Sequence, residues 1–242
     1  MMFKAAVNRN MNEEKTETRR MQEALNNVRM QEPGAFPDLV NLFRGHGFKP
    51  IVAPGAIVAS VLIPLVEIEG RTHILFELRS SKINQGGEVC FPGGRVENGE
   101  RPEETAVRET AEELLISGNQ VEDVIPMFRM MGPGGTEVNA FLGRIRDYRG
   151  TYSRDEVQEI MLEPLDDMLR MEPVILESRY ELDPGPDFPY ELIQNGKDYH
   201  WHKVRRKFYF YRTEPEIIWG MTAELLYYFL EEVRAKLTGD AV

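Results

Sequence analysis

Between Gly94 and Ile116 the chain reads GRVENGERPEETAVRETAEELLI. Five residues separate Gly94 from Glu100, seven separate Glu100 from Arg108-Glu109, and two more lead to Glu112-Glu113. A chance match at six such positions in a chain of this length has odds on the order of 10⁻⁵. Carboxylates this close raise one another's pKa unless a positive charge sits among them. A divalent cation supplies that charge. Hard oxygen donors, with few His or Cys nearby, favour Mg²⁺, with Mn²⁺ as the natural substitute.

The elements that position these groups follow from the same stretch. Pro102 suits a first helical turn, Glu103 and Glu104 favour the positive end of the helix dipole, and Ala106, Val107, Ala111 and Leu114 recur at helical intervals. A helix is therefore expected to begin near Pro102. At 100° per residue Glu109 and Glu113 lie one turn apart on one face, with Glu112 close to both, so three carboxylates point into a common region. Arg108 is placed to reach Glu100 and close the loop onto the helix, or to hold Glu109, an orienting role. Taken alone, RETAEELL reads as a solvated helix face with i,i+4 ion pairs. Gly86-Gly87 and Phe91-Pro92-Gly93-Gly94 change that reading, because glycine-rich turns ahead of a helix let bare backbone N–H groups approach a phosphate.

The segment from Gly94 to Ile116 resembles the Nudix box, the loop–helix–loop signature of hydrolases that cut a nucleoside diphosphate linked to another moiety. The correspondence covers Gly94 and Glu100 as structural box positions, the Arg108-Glu109 pair and the Glu112-Glu113 pair. It departs at Thr110, where an aliphatic residue is usual, and at Leu115, where glycine is usual. Leucine adopts the left-handed conformation with difficulty, so Gly118 is expected to close the helix instead. Upstream, Arg79-Ser80-Ser81-Lys82-Ile83 and Gly87-Glu88-Val89-Cys90-Phe91-Pro92-Gly93-Gly94 look like the coenzyme A pyrophosphatase branch of that family. Downstream, Ile218-Trp219-Gly220-Met221-Thr222-Ala223 resembles the closing segment of the same branch.

The resemblance implies an α/β fold, a Nudix-type α/β/α sandwich with a mixed sheet. It implies Mg²⁺ held by Glu109, Glu112 and Glu113, with Arg108 beside them in the catalytic group. The proton-accepting base is left open between Glu109 and a later glutamate. Glu156 and Glu159 lie in a segment that often carries the later one, and Glu159 is the stronger candidate; Glu137 is weaker. Substrate contacts are expected from Arg79, Lys82, Phe91, Gly93, Gly94 and Arg95. Coenzyme A or an acyl-CoA would give 4′-phosphopantetheine and adenosine 3′,5′-bisphosphate. The alternatives are ADP-ribose, dinucleoside polyphosphates or nucleotide sugars, or a Nudix module that binds nucleotide without turnover. A homodimer is left open.

Composition bounds the rest. In 242 residues there is one cysteine, Cys90, so no intramolecular disulfide exists. It is expected as a small buried strand residue. The longest apolar run, 56–66, contains Ser60 and Pro64 and is too short and interrupted to cross a bilayer, and no charged-then-apolar leader is expected at the start. A cytoplasmic location is expected. The net charge of −11 opposes attraction to nucleic acid or anionic membrane, and the partner that the resemblance implies is a small-molecule nucleotide. An anionic substrate then needs local positive charge, for which Lys203-Val204-Arg205-Arg206-Lys207 is a candidate, otherwise a solvated strand. His200 and His202 form an HxH pair, read as exposed strand residues for want of other ligands.

Residues 1–50 read as a partly helical N-terminal extension, with a helix over 13–30, and 51–242 as the Nudix domain. Strands are expected over 56–66 and 73–78 across a Gly70-Arg71 turn, over 121–131 and 138–145 across Gly132-Pro133-Gly134-Gly135, and over 207–211. After Asp155 a helix or short turn is expected up to Pro164, then a helical stretch near 165–171 and an amphipathic, long helix over 221–237.

Overall fold

The computed structural model describes residue 19 and residues 56–82, 86–132 and 135–239. The expected N-terminal extension (Arg19 apart), Ile83 and the Pro133-Gly134 turn lie outside the described residues. The chain divides into two units, Met1–Ile51 and Val52–Val242, and the second holds the sheets and the site.

Strands β1 (Val58–Ile68) and β2 (Arg71–Arg79) form a hairpin whose pairing runs from Ile68↔Arg71 to Leu65↔Ile74. Beyond that point the two strands part, and the glycine-rich segment fills the opening. Its first half, β3 (Val89–Cys90), pairs with the end of β2, and its second half, β4 (Gly93–Arg95), pairs with the start of β1. Between them the Pro92 carbonyl accepts the Leu62 N–H at 2.9 Å. The segment before the box is thus a wedge held on both sides by backbone hydrogen bonds.

Helix α1 (Pro102–Glu113) starts where Pro102 predicts, with proline at its first position. The Glu104 carboxylate accepts the Arg101 N–H at 3.0 Å, satisfying one donor ahead of the first turn. Strand β5 (Val121–Met131) pairs antiparallel with β6 (Glu137–Ile145), and β6 runs parallel to β1.

Residues 157–164 form strand β7 (Val157–Pro164), not a helix, and pair along the free edge of β2. Met161 is buried in the core on one side of this strand while Ile160 and Leu162 pack on the other, a period-2 use of apolar residues that the edge of β2 completes. Helix α2 (Leu165–Arg170) follows at once. A second sheet of three strands, ordered β10-β9-β8, consists of β8 (Val174–Tyr180), β9 (Val204–Arg212) and β10 (Ile217–Trp219), of which sequence reasoning found only part of β9. Helix α3 (Gly220–Thr238) ends the fold.

The large mixed sheet of β1 to β7 lies between two cores, which makes the fold mixed α/β. On one side Leu62, Val66, Leu75 and Ile145 pack with Ala106 and Leu114 of α1. On the other, Ile63, Ile74, Phe76 and Leu78 pack with Leu226, Phe229 and Leu230 of α3. Successive residues of β1 and β2 therefore face opposite helices, which ties every side chain's location to its parity along the strand.

Candidate active site

The wedge and α1 meet at two glycines. A Cβ on Gly93, whose φ is 151°, would run into the Ser60 carbonyl and the Val61 backbone, and a Cβ on Gly94 would occupy the place of the Glu109 carboxyl group. Only glycine lets the backbone lie against β1 on one side and a box carboxylate on the other. The Gly93 N–H donates to Glu113 Oε2 at 2.8 Å. From the opposite end, the buried Ser60 hydroxyl donates to the Pro102 carbonyl at 2.5 Å and ties the start of α1 to β1.

Arg108 organises the other carboxylates. Its Nε and Nη2 donate to the two oxygens of Glu100 at 2.9 and 3.1 Å, a bidentate clasp of loop to helix. Its Nη1 lies 3.0 Å from Glu109 and 3.2 Å from Glu112. Arg108 therefore both closes the loop and holds Glu109. Hydrogen bonds from Arg108, then from the Thr105 hydroxyl, hold the Glu100 carboxyl down to about 2. Thr110, at a position usually aliphatic, fits because its hydroxyl donates to the Ala106 carbonyl one turn back, at 2.6 Å.

The charge expected among the carboxylates is thus supplied at Glu109 and Glu112 by Arg108. It is not supplied at Glu113, which is 6% exposed: burial first, then the charges of Glu109 and Glu156, push it up to about 8 against the opposing pull of the Gly93 N–H and Arg79. Burial also raises Glu109, with Arg108 opposing and Glu112 and Glu156 adding to the rise. Among the described residues no three His, Cys, Asp or Glu side chains already stand together as a metal cluster. Arg108 lies between Glu109 and Glu112, and Glu113 accepts the Gly93 N–H. His200 and His202 are exposed and take no part.

Two further carboxylates belong to this electrostatic group. Glu156, whose backbone carbonyl accepts the Ser80 N–H at 2.8 Å, acts on Glu109, Glu113 and Glu77. Glu77 was missed in sequence. It is 1% exposed and faces α1, two residues along β2 from Leu75. The signal was a lone acid between Phe76 and Leu78, in a strand apolar on both faces. Glu159 is not brought to the group: it pairs with Leu78, whose side chain belongs to the α3-side core, and is exposed on that side. Glu137 is engaged with Arg129 and Asn139 on β5 and β6.

On the α3 side of the wedge lies a cavity of about 490 Å³. Arg79, Phe91 and Gly93 line it, and so do Trp219, Gly220, Met221 and Thr222. Phe91 is 3% exposed and stacks on Phe76 at 4.9 Å, so it serves the core and presents only an edge. Lys82, Gly94 and Arg95 are not among the lining residues; Lys82 and Arg95 are exposed, and Gly94 is taken up by Glu109. Of the basic cluster, Arg206 reaches the cavity and is held by Glu224 at 2.8 Å, while Lys203 and Arg205 pair with Glu181 and Glu177. Cys90 is half-buried beside this wall, its Sγ 3.9 Å from Arg79, and burial pushes its thiol up to about 12.

The helix exit corrects the expectation for Leu115. Leu115 itself takes the left-handed conformation, φ 51°, and Gly118 only opens a short 3₁₀ turn. The N–H of Leu115 bonds the Glu112 carbonyl and that of Ile116 the Ala111 carbonyl, the paired pattern that closes a helix. Ile116 is then placed in both α1-side cores, which offsets the roughly 1–2 kcal/mol that a side chain costs in this backbone region.

The NUDIX domain family matches residues 57–182, which contain the wedge, the box and both later glutamates. The chain belongs to the Nudix family. It is 30% identical over 180 residues to Nudix hydrolase 3 of Caenorhabditis elegans, covering 69% of this chain and 70% of that one. It is also 30% identical over 174 residues to the peroxisomal coenzyme A diphosphatase NUDT7 of Mus musculus, covering 69% and 66%. Among solved structures, a MutT/nudix family protein from Enterococcus faecalis aligns over 88% of this chain and 73% of its own, at 13% identity and a TM-score of 0.46. As a Nudix hydrolase the chain is an enzyme that cleaves phosphorus anhydrides. No helix among the described residues is long and apolar enough to cross a membrane.

Proposed function

We propose that this Nudix hydrolase cleaves the pyrophosphate of coenzyme A or an acyl-CoA, giving 4′-phosphopantetheine and adenosine 3′,5′-bisphosphate. One observation carries the reading. Cys90, Phe91 and Gly93 of one segment and Trp219-Gly220-Met221-Thr222 of the other, far apart in the chain and both in stretches similar to the coenzyme A branch, line a single cavity, and Gly93 of its wall is the donor to Glu113. The 30% identity to a mouse protein named as a coenzyme A diphosphatase supports the same substrate.

Glu109, Glu112 and Glu113 would hold Mg²⁺, or Mn²⁺ in its place. The fit rests on Glu113, a buried carboxyl group that accepts the Gly93 N–H and, among the described residues, has no hydrogen bond from a cationic side chain. Such an ion neutralises charge on the diphosphate and lowers the pKa of water. Arg108 keeps Glu109 and Glu112 oriented, and the glycine backbone leaves room for phosphate oxygens. Glu109, raised toward neutrality by its half-buried position, is suited to accept the proton from the attacking water. Glu156, not Glu159, is the later glutamate within electrostatic reach of it. A cytoplasmic setting, and a small-molecule substrate without nucleic acid or membrane, complete the proposal.

The test is product analysis by mass spectrometry with coenzyme A, ADP-ribose, a dinucleoside polyphosphate and a nucleotide sugar, each with Mg²⁺, using Glu112→Gln as control. Coenzyme A is expected to give the two products named, at the highest kcat/KM of the panel and at least a hundredfold above the control. A higher value for any other substrate overturns the coenzyme A assignment, and equal rates for wild type and control overturn the catalytic role of Glu112.

A further inference from the structure

Among the described residues, two buried side-chain polar atoms have no hydrogen-bond partner, Glu77 Oε1 and Tyr211 Oη. Tyr211 sits in the α3-side core, remote in role from any ionic group of the site. Glu77 does not. Its register partners on either side are Cys90 of β3 and Ile160 of β7, so it is walled in along the sheet by both neighbouring strands. Its parity on β2 matches that of Leu75, which packs against Leu114, the residue next to Glu113. The charges that act on it are those of Glu113, Arg79 and Glu156. A carboxyl group desolvated to 1% exposure, with an oxygen left unsatisfied, is costly to the fold as an ion, and native structures keep such groups where an ion or a catalytic role uses them.

We propose that Glu77 is a further carboxylate of the cation site, supplied by the sheet and facing Glu113 from below, beyond the three that the box helix provides. The inference rests on the metal-dependent reading of the site given above. Glu113 is the shared member, acted on by Glu109 within the helix and neighbouring Glu77 across to β2. Oxygen donors from two elements, one a helix and one a strand, select a hard divalent ion and fix its place relative to the Gly93 N–H. Arg79, at the end of the same strand, limits the negative charge on the group.

The experiment is Mn²⁺ binding by electron paramagnetic resonance, with calorimetric titration of Mg²⁺, on the full chain and on Glu77→Gln, with thermal unfolding of both in chelator. Glu77→Gln has the shape of the protonated acid, so it separates a ligand from a buried neutral group. The expected result is a tenfold or greater loss of Mn²⁺ and Mg²⁺ affinity, with a melting temperature in chelator equal to or above that of wild type. Unchanged affinity in Glu77→Gln overturns the inference while leaving the metal-dependent reading in place. No binding by the wild type at millimolar Mn²⁺ overturns the metal-dependent reading and the inference with it. Should Glu77→Gln unfold, Glu77→Met, of similar length and without the buried polar atoms, is expected to show the same tenfold loss of affinity, and unchanged affinity in it overturns the assignment.

Discussion

Glu113 makes the stability of the metal-free protein depend on pH in a direction opposite to that of an ordinary paired carboxylate. In the folded chain its carboxyl holds a proton up to about pH 8, whereas the unfolded chain releases it near the ordinary 4.5. Between those values the folded state binds more protons than the unfolded one, so stability is fully present below about pH 4.5 and is lost as pH rises toward 8. At about 1.4 kcal/mol per pH unit the loss amounts to roughly 5 kcal/mol at most. For a unit of this size each kcal/mol moves the melting temperature by about 2–4 °C, so the loss corresponds to a fall of order 10 °C. The assay is differential scanning calorimetry in chelator from pH 5 to 8.5 on wild type and Glu113→Gln, followed by the same scans with Mg²⁺. Other groups titrate in both proteins, so the difference between the two curves is the readout. Wild type is expected to lose stability more steeply than Glu113→Gln in chelator, and Mg²⁺ is expected to flatten the wild-type curve by binding the ionised form. Parallel curves would refute the burial of Glu113 away from a neutralising cation, and a wild-type curve that Mg²⁺ leaves unchanged would refute its role as a ligand.

Leu115→Gly is expected to stabilise the protein by about 0.5–1 kcal/mol in urea unfolding, because it relieves a left-handed leucine while giving back some unfolded-state entropy; a lower midpoint would contradict the helix-exit geometry. Gly94→Ala is expected to lower kcat at least a hundredfold with little change in far-ultraviolet circular dichroism, since the added methyl displaces the Glu109 carboxyl group. Arg108→Lys removes the bidentate clasp, and carbon-detected NMR is expected to show the Glu100 carboxyl rising from about 2 toward its ordinary range. The stability that this depressed carboxyl contributes is present above its unfolded pKa and lost in acid, so the variant should also be less sensitive to pH between about 4 and 2. Trp219→Ala opens the wall of the cavity and is expected to raise KM for coenzyme A about tenfold, equivalent to about 1.4 kcal/mol, while leaving kcat nearly unchanged. An unaltered KM would place the substrate elsewhere.

Much of the box was legible because its geometry is local. The helix starting at Pro102, the reach of Arg108 to Glu100 and to Glu109, and the close approach at Gly93-Gly94 all follow from helical periodicity and from where only glycine fits. Strand 121–131, part of the strand at 204–212 and the long C-terminal helix were legible from composition and periodicity. Residues 157–164, expected as a helix or short turn, form a strand, since a short apolar run has no period of its own and the free edge of β2 decided the matter. At Leu115 local preference was overruled by the docking of Ile116.

By itself the sequence determined which acids and which arginine share a turn of helix, because a 3.6-residue repeat needs no partner to place them. Tertiary structure alone decided that Glu77 is buried where the charges of Glu113, Arg79 and Glu156 act on it, that Glu156 acts on Glu109 and Glu113 while Glu159 pairs with Leu78 on the α3 side, and that segments near residues 90 and 220 wall one cavity. Those facts depend on which strand edges pair and on which side of the sheet each residue then falls. Pairing between distant strands is set by the burial of the whole sheet between two helices, and no short stretch of the chain carries that information.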